Sequence, residues 1–249
     1  MTKTLCIIQA RMSSTRLPGK VLKEVSGASL IEHEIRKLKM ARLIDKIVLA
    51  TTTGSEDDRL VGACRRLEID CFRGSKDDVL GRYLKCAKQF PEYDVIIRAT
   101  GDCPLIDPGV ADNTIFFFKS NNYDYVSNSN PPTFPDGMDI EVFSRQSLEK
   151  ADREAQKTAE REHVTLYIRE SGKFKIGNFI GDKDYSKYRL TVDNPEDFEV
   201  IKAVIENFNP DSTFLDYIDF LEGHPDIMAK NMSIKRNEGL IKSLNKEKI

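Results

Sequence analysis

Two hydrophobic periodicities alternate through the first hundred residues. Residues 4–9 (TLCIIQ), 46–51 (KIVLAT), 69–73 and 93–98 (YDVIIR) are short apolar runs, each with the length expected of a strand buried on both faces. Between them the apolar positions recur at helical spacing. Ser29 is placed to cap a helix that runs to about Met40 through Leu30, Ile31, Ile35 and Leu38. Residues 56–67 form a second such segment, and Asp77 or Asp78 opens a third that reaches Phe90 and buries Val79, Leu80, Tyr83, Leu84 and Ala87. Strands alternating with helices of this length predict βαβ units, a parallel sheet and right-handed crossovers.

The second half has a different pattern. Strands are expected at 123–126, 138–143, 174–180 and 188–192, and helices at 145–157, 160–171 and 211–222. Pro195 opens a further helix, capped by Asp193 or Asn194. Residues 127–137 hold three prolines and read as a loop long enough to be functional. The last 24 residues carry six Lys or Arg against three acids and read as a solvated helical tail. The fold class is therefore α/β, with a mostly parallel mixed sheet and an antiparallel lobe in the second half. The organisation is a single domain over 1–249: a parallel half at 1–122, a second lobe at 123–190, and a closing strand, helices and tail at 191–249.

Composition narrows the chemistry. The chain has 249 residues, 40% hydrophobic, enough for one sizeable core. With 38 Lys plus Arg against 40 Asp plus Glu, its net charge of −2 supplies no field for nucleic acid or an anionic membrane. Any polyanion must be held by a local cluster of cations. No apolar run is long enough to span a bilayer, and the opening residues run straight into a strand, so a cytoplasmic protein is expected. Cys6, Cys64, Cys71, Cys86 and Cys103 are odd in number and contain no C-x-x-C, which suits free thiols of a reducing compartment.

Ligands of open α/β sheets bind beyond the carboxyl ends of the strands. The loop after the first strand, residues 10–20 (ARMSSTRLPGK), places Arg11, Arg16 and Lys20 among small hydroxyl residues. This is a cradle for a triphosphate, with backbone N–H groups and three cations facing its negative charge. Ser14 stands where a Walker A loop needs Gly, and the chain contains no G-x-G. After the fourth strand comes Arg98-Ala99-Thr100-Gly101-Asp102-Cys103, where Asp102 is a hard-oxygen ligand suited to Mg²⁺. Asp193 ends the strand at 188–192 and offers a second carboxylate. Asp139 and Glu141 share one face of a strand, as acceptors for substrate hydroxyls or as the wet face of a sheet. His163 could orient or deprotonate a hydroxyl. Cys103 is a poor nucleophile, with no His placed to activate it.

Together these stretches resemble the SpsF-type cytidylyltransferases of spore coat polysaccharide biosynthesis, relatives of the acylneuraminate and 3-deoxy-manno-octulosonate cytidylyltransferases. The resemblance is carried by residues 7–12 and 16–20, 72–75 (FRGS), 100–107 (TGDCPLID), 135–137 (PDG), 161–165 (REHVT), 191–197 (TVDNPED) and 235–239 (KRNEG). It implies a Rossmann-like nucleotidyltransferase fold, often a homodimer. It also implies a Mg²⁺-dependent transfer of CMP from CTP to an acidic sugar, with release of pyrophosphate. On that resemblance Arg11, Arg16 and Lys20 would hold the CTP phosphates; Ala10, Arg73 and Ser75 would contact the nucleotide; Asp102 and Asp193 would be the metal acids. Asp136, Gly137 and His163 would face the acceptor, with the nucleotide in the 1–122 half and 123–190 as the acceptor and dimerisation lobe. Beside the resemblance, Arg98 could pair with an anionic acceptor, and Asp139 and Glu141 are the candidate hydroxyl acceptors named above. Thr100 stands where the sugar-acid relatives carry Gln. The rival activities are nucleotidyl transfer to a sugar phosphate or other phosphorylated alcohol, and nucleotide binding without catalysis.

Overall fold

The computed structural model describes residues 2–246. Its strands are β1 (Lys3–Gln9), β2 (Glu24–Val25), β3 (Ala28–Ser29), β4 (Lys46–Thr52), β5 (Asp70–Gly74), β6 (Tyr93–Thr100), β7 (Tyr125–Ser127), β8 (Glu141–Ser144) and β9 (Ile176–Asn178). The helices are α1 (Leu30–Lys39), α2 (Asp58–Arg66), α3 (Val79–Lys88), α4 (Pro108–Ser120), α5 (Arg145–Glu154), α6 (Thr158–Glu162), α7 (Leu166–Glu170), α8 (Pro195–Asn207), α9 (Phe214–Gly223), α10 (Pro225–Met228) and α11 (Glu238–Lys246). No helix among the described residues is long and apolar enough to cross a membrane.

Seven strands form one sheet in the order β5-β4-β1-β6-β8-β7-β9. β5, β4, β1 and β6 run parallel, β8 is antiparallel to β6 and to β7, and β9 is parallel to β7. The chain moves outward from β1 to β4 and β5, then returns to the other side of β1 for β6. The strand order therefore reverses between β1 and β6, and the crevice beyond their carboxyl ends is the switch point where such sheets bind ligands. β1 is apolar throughout because both its faces are covered: Cys6 and Ile8 pack into one cluster with Ile31, Ile35 and Leu38, while Leu5 and Ile7 pack into another with Leu80, Tyr83 and Leu148. A third cluster joins Leu190 and Val192 to Val200, Ile201 and Val204 of α8.

Several helix starts follow their sequence signals. Ser29 and Glu32 form a capping box at α1, Asp78 caps α3 by accepting from Gly81 N–H, and Asn194 caps α8 with Pro195 at its first position. Other expectations need correction. The segment 108–120, for which no helix was expected, is α4. The single helix expected over 160–171 is two short ones, interrupted at Val164, a β-branched residue held at φ 51. The strand expected at 188–192 forms only one bridge, Asp136 to Arg189. The strand expected from 138 begins at Glu141, so Asp139 lies in the loop before β8.

Candidate active site

Gly101 sits where the loops after β1 and β6 press together, and a Cβ there would lie 2.8 Å from Ala10 Cβ. The β1 loop is held down by the buried Asp57 carboxylate, which accepts from Met12 N–H at 2.7 Å and from Thr52 N–H at 3.1 Å. Gly137, at φ +105, lets residues 136–138 cross the chain at Leu190, whose carbonyl O would be 2.5 Å from an added Cβ. These close approaches bring four distant segments to the rim of one cavity of about 640 Å³. That is a volume typical of small-molecule sites.

Lys20 is the centre of one end. It is 9% exposed, and its Nζ donates to Asp102 Oδ2 at 3.0 Å, Asp193 Oδ1 at 2.9 Å and Val192 O at 2.7 Å. Asp102 and Asp193, separated by ninety residues of sequence, thus meet on one ammonium. Burial pushes the Asp102 carboxyl up. Lys20 and hydrogen bonds from Thr100, Lys20 and Cys103 outweigh that and hold it at about 2. Burial also works against the Lys20 charge, but Asp102 and Asp193 raise its pKa overall. Behind this pair Cys103 N–H donates to Glu34 Oε2 at 3.2 Å. Burial and the nearby Asp102 push Glu34 well above the usual carboxylate range. Burial likewise pushes up the Cys103 thiol, so it is inert.

Arg16 Nη2 lies 2.5 Å from Asp193 Oδ1, and its Nη1 lies 3.2 Å from Glu238 Oε2. The buried Arg189 guanidinium joins Asp136, Asp193 and Asp197: Nη2 is 3.1 Å from Asp193 Oδ2, and Nε is 2.8 Å from Asp197 Oδ1. Asp197 in turn accepts from the N–H groups of Asp193 and Asn194, both at 2.9 Å, so the residue that closes the α8 capping box also fixes the Asp193 backbone. Asp136 and Asp139 lie beside Arg236. Burial raises both of these carboxyls, with Arg236 opposing.

At the other end Arg98 pairs with Glu141, which also accepts from Tyr125 OH at 2.5 Å and Thr165 Oγ1 at 2.6 Å. Burial pushes Glu141 up, but Arg98 and Arg169, with those two hydroxyls, hold it at about 2. Since the folded value is below that of the unfolded chain, about 4.3, the unfolded state takes up this proton first as pH falls. The stability contributed by the ion pair is complete above about pH 5 and is lost between roughly pH 4 and pH 2, amounting to about 3 kcal/mol. Acid unfolding followed by circular dichroism checks this. Glu141→Gln should be less stable at neutral pH and show a shallower loss over that window; an acid limb identical to that of the unsubstituted protein would refute it. His163 lines the same end, its buried Nε2 without a hydrogen bond and 3.9 Å from Glu162 Oε2; burial lowers its pKa, with Glu162 opposing.

Of the residues expected from sequence, Ala10, Arg11, Arg16, Lys20, Arg98, Asp102, Asp136, Asp139, Glu141, His163 and Asp193 all line the cavity. Gly137 is outside the lining and acts through the crossing described above. Arg73 and Ser75 are not brought to it. Arg73 braces the loop after β4, through Thr52 O at 2.9 Å, Gly54 O at 2.7 Å and Asp58 Oδ1 at 2.6 Å. Asp139 and Glu141 are not the wet face of a sheet, because each is paired with an arginine. Sequence reading missed Arg189, whose role depends on three acids that only the fold brings together. It also took the carboxyl-terminal segment as solvated. Instead Asn231 is 2% exposed, and Arg236 and Glu238 reach the cavity rim. The interleaved R and E of KRNEG beside a net basic run were the available signal.

The acids at the Lys20 end suit a divalent cation. Asp102 and Asp193 bring two hard carboxylates to one ammonium, with Arg16 and Arg189 also on Asp193, and Mg²⁺ takes one or two carboxylates plus substrate phosphate oxygens. Among the described residues no three His, Cys, Asp or Glu side chains are grouped to hold a metal ion.

The family model described as cytidylyltransferase matches residues 5–223. The chain is 35% identical over 238 residues to the spore coat polysaccharide biosynthesis protein SpsF of Bacillus subtilis, covering 91% of this chain and 97% of that protein. It is 34% identical over 111 residues to the 3-deoxy-manno-octulosonate cytidylyltransferase of Geobacter sulfurreducens, covering 44% of this chain and 42% of that one. Among solved structures, a cytidylyltransferase from Leptospira borgpetersenii superposes with a TM-score of 0.89 at 35% identity, covering 95% of this chain and all of that one. With the switch-point cavity and its acid–lysine centre placed within a match over nearly the whole length, the chain belongs to the cytidylyltransferase family.

Proposed function

We propose that this protein, acting as one domain, transfers CMP from CTP to an acidic sugar of the 2-keto type and releases pyrophosphate, with Mg²⁺ as its metal. The observation that carries the reading is the convergence of Asp102, Asp193 and Lys20 at the switch point, in a cavity whose other end is lined by Arg98, Arg169 and His163. Asp102 and Asp193 would hold the metal, which supplies positive charge to the phosphates when bound. Arg11, Arg16 and Lys20 bind the triphosphate and stabilise charge on the departing pyrophosphate. The acceptor hydroxyl oxygen forms the new bond to the α-phosphorus in line as the bond to pyrophosphate breaks. His163, whose pKa burial lowers and whose Nε2 makes no hydrogen bond, would take the hydroxyl proton. The hemiketal hydroxyl of a keto-sugar acid is more acidic than an ordinary alcohol and needs only a weak base.

The names of the relatives support a sugar acceptor: one is a polysaccharide biosynthesis protein, the other acts on a keto-sugar acid. The five free thiols suit a reducing, cytoplasmic setting. The exposed Phe116, Ile176 and Ile180 offer apolar surface for a homodimer contact. Calorimetry with CTP, UTP, GTP and ATP, with and without Mg²⁺, tests the donor without knowledge of the acceptor. Selective, Mg²⁺-enhanced CTP binding is expected. Preference for another base, or no binding, would overturn the reading.

A further inference from the structure

Among the described residues seven cations line the cavity, and Lys20, Arg16 and Arg98 each lie on one or more carboxylates. Of the other four, Arg11 and Lys76 are exposed and Arg169 is half-buried, so Arg82 is the buried one. It stands in the first turn of α3, 2% exposed, and among the described residues no carboxylate within ion-pair distance is found for it. Its Nη1 donates to Ser75 O at 2.7 Å, which anchors one arm of the guanidinium. Its Nε is buried with no hydrogen-bond partner. The stem is fixed as well, since it fills the space that Gly74 leaves: a Cβ at Gly74 would lie 2.8 Å from Arg82 Cγ. Arg82 lines the cavity together with Arg11 and Lys76.

An arginine stays charged at any pH the protein meets, so a buried one without an anion is held at a cost that a ligand can relieve. Burial disfavours the Arg82 charge and the nearby Arg11 adds like-charge repulsion, which Tyr83, Asp57 and Asp78 offset only in part, from beyond ion-pair distance. The ligand that relieves both must bring acceptor atoms to the Nε–Nη2 edge, the arm of the fork that Ser75 leaves unused. We propose that Arg82 is a nucleotide-binding residue, donating from this edge to acceptor atoms of bound CTP. The inference rests on the CTP-binding reading above and adds a specific residue to it.

Two parts of CTP carry such acceptors. The triphosphate offers anionic oxygens, which the proximity of Arg11 favours. The cytosine edge offers O2 and N3 side by side, whereas uracil has a donor N–H at position 3 and would repel the fork. Calorimetry with CTP, UTP and cytidine on the unsubstituted protein, Arg82→Met and Arg82→Lys separates these. In either case Arg82→Met should lose at least about ten-fold in CTP affinity. Equal losses for CTP and UTP with cytidine unchanged identify the phosphates. Loss of cytidine binding with collapse of the CTP–UTP difference identifies the base.

Thermal melting without nucleotide supplies the structural control. Arg82→Met should melt no lower than the unsubstituted protein, because it removes an uncompensated buried charge. A fall in melting temperature with CTP affinity kept in both variants would overturn the proposal and leave Arg82 as packing. No CTP binding by the unsubstituted protein would overturn the donor reading itself, and this inference with it. Should Arg82→Met fail to fold, Arg82→Lys keeps the charge and the stem but not the fork, and CTP affinity unchanged in it would overturn the proposal.

Discussion

Asp102→Asn lowers turnover on the order of 10³-fold, the loss expected when a fixed charge facing the reacting phosphates is removed, and leaves the fold intact. The substitution keeps the shape of the side chain and an oxygen for Lys20 Nζ, which lies 3.0 Å from Oδ2. What it removes is a negative charge that the site maintains against burial, since the carboxyl is held at about 2. Lys20 retains Asp193 and Val192 O, so the loss falls on phosphate and metal chemistry instead of packing. The rate is read as pyrophosphate release with a keto-sugar acid that supports turnover, beside a thermal melt. Calorimetry should also show that Mg²⁺ no longer strengthens CTP binding. A variant within ten-fold of the original rate would refute the role given to Asp102.

Arg189→Met is expected to produce the largest loss of stability, about 3–5 kcal/mol, the usual result of removing one partner from a buried ionic cluster. The guanidinium is 5% exposed and touches Asp136, Asp193 and Asp197, the last fully buried. Methionine fills much the same volume but leaves the fully buried Asp197 without a cation, while Asp136 keeps Arg236 and Asp193 keeps Lys20 and Arg16. In a domain of this size that corresponds to a fall in melting temperature on the order of 10 °C. Activity should fall too, because Asp193 loses the contact that fixes its Oδ2 opposite Lys20. Arg189→Lys cannot make the three-way fork and should recover only part of the loss. Melting within 2 °C of the original, a shift of about 1 kcal/mol or less, would mean that the acids relax without Arg189.

The parallel half of the fold was legible because its strands are buried on both faces and its helices on one, so the two periodicities separate cleanly. α1, α3 and α8 carried explicit cap residues as well. α4 escaped although Asp107 accepts from the N–H groups of Gly109 and Val110 and Pro108 opens it. Its run of Ile115, Phe116, Phe117 and Phe118 is apolar around most of the helix, leaving Phe116 64% exposed, and no polar face marks the period. The strand expected at 188–192 has the alternation of a strand because Leu190 and Val192 are buried, but its backbone groups bond to the Asp136 and Asp102 backbone, Lys20 Nζ and Asn231 Nδ2 instead of a continuous ladder. In the site, single residues at strand ends were readable and their partners were not. That Asp102 and Asp193 lie within reach of one ammonium, or that Arg98 is neutralised by Glu141, depends on contacts between distant segments, which one sequence does not display.

The segments that form the site are strung along the chain in an order with a consequence for its synthesis. Lys20 and Asp102 leave the ribosome with the parallel half, long before Arg189 and Asp193, and Asp197 follows when α8 begins. Arg236 and Glu238 come last. A domain emerging from its amino end folds as its contacts become available, at roughly 5–20 residues per second. The parallel sheet can therefore collapse while its carboxyl-terminal crevice still lacks half of its charges. For several seconds of translation the nascent chain presents Lys20 and Asp102 without Asp193, and the ionic centre of the crevice is completed only as the later segments emerge.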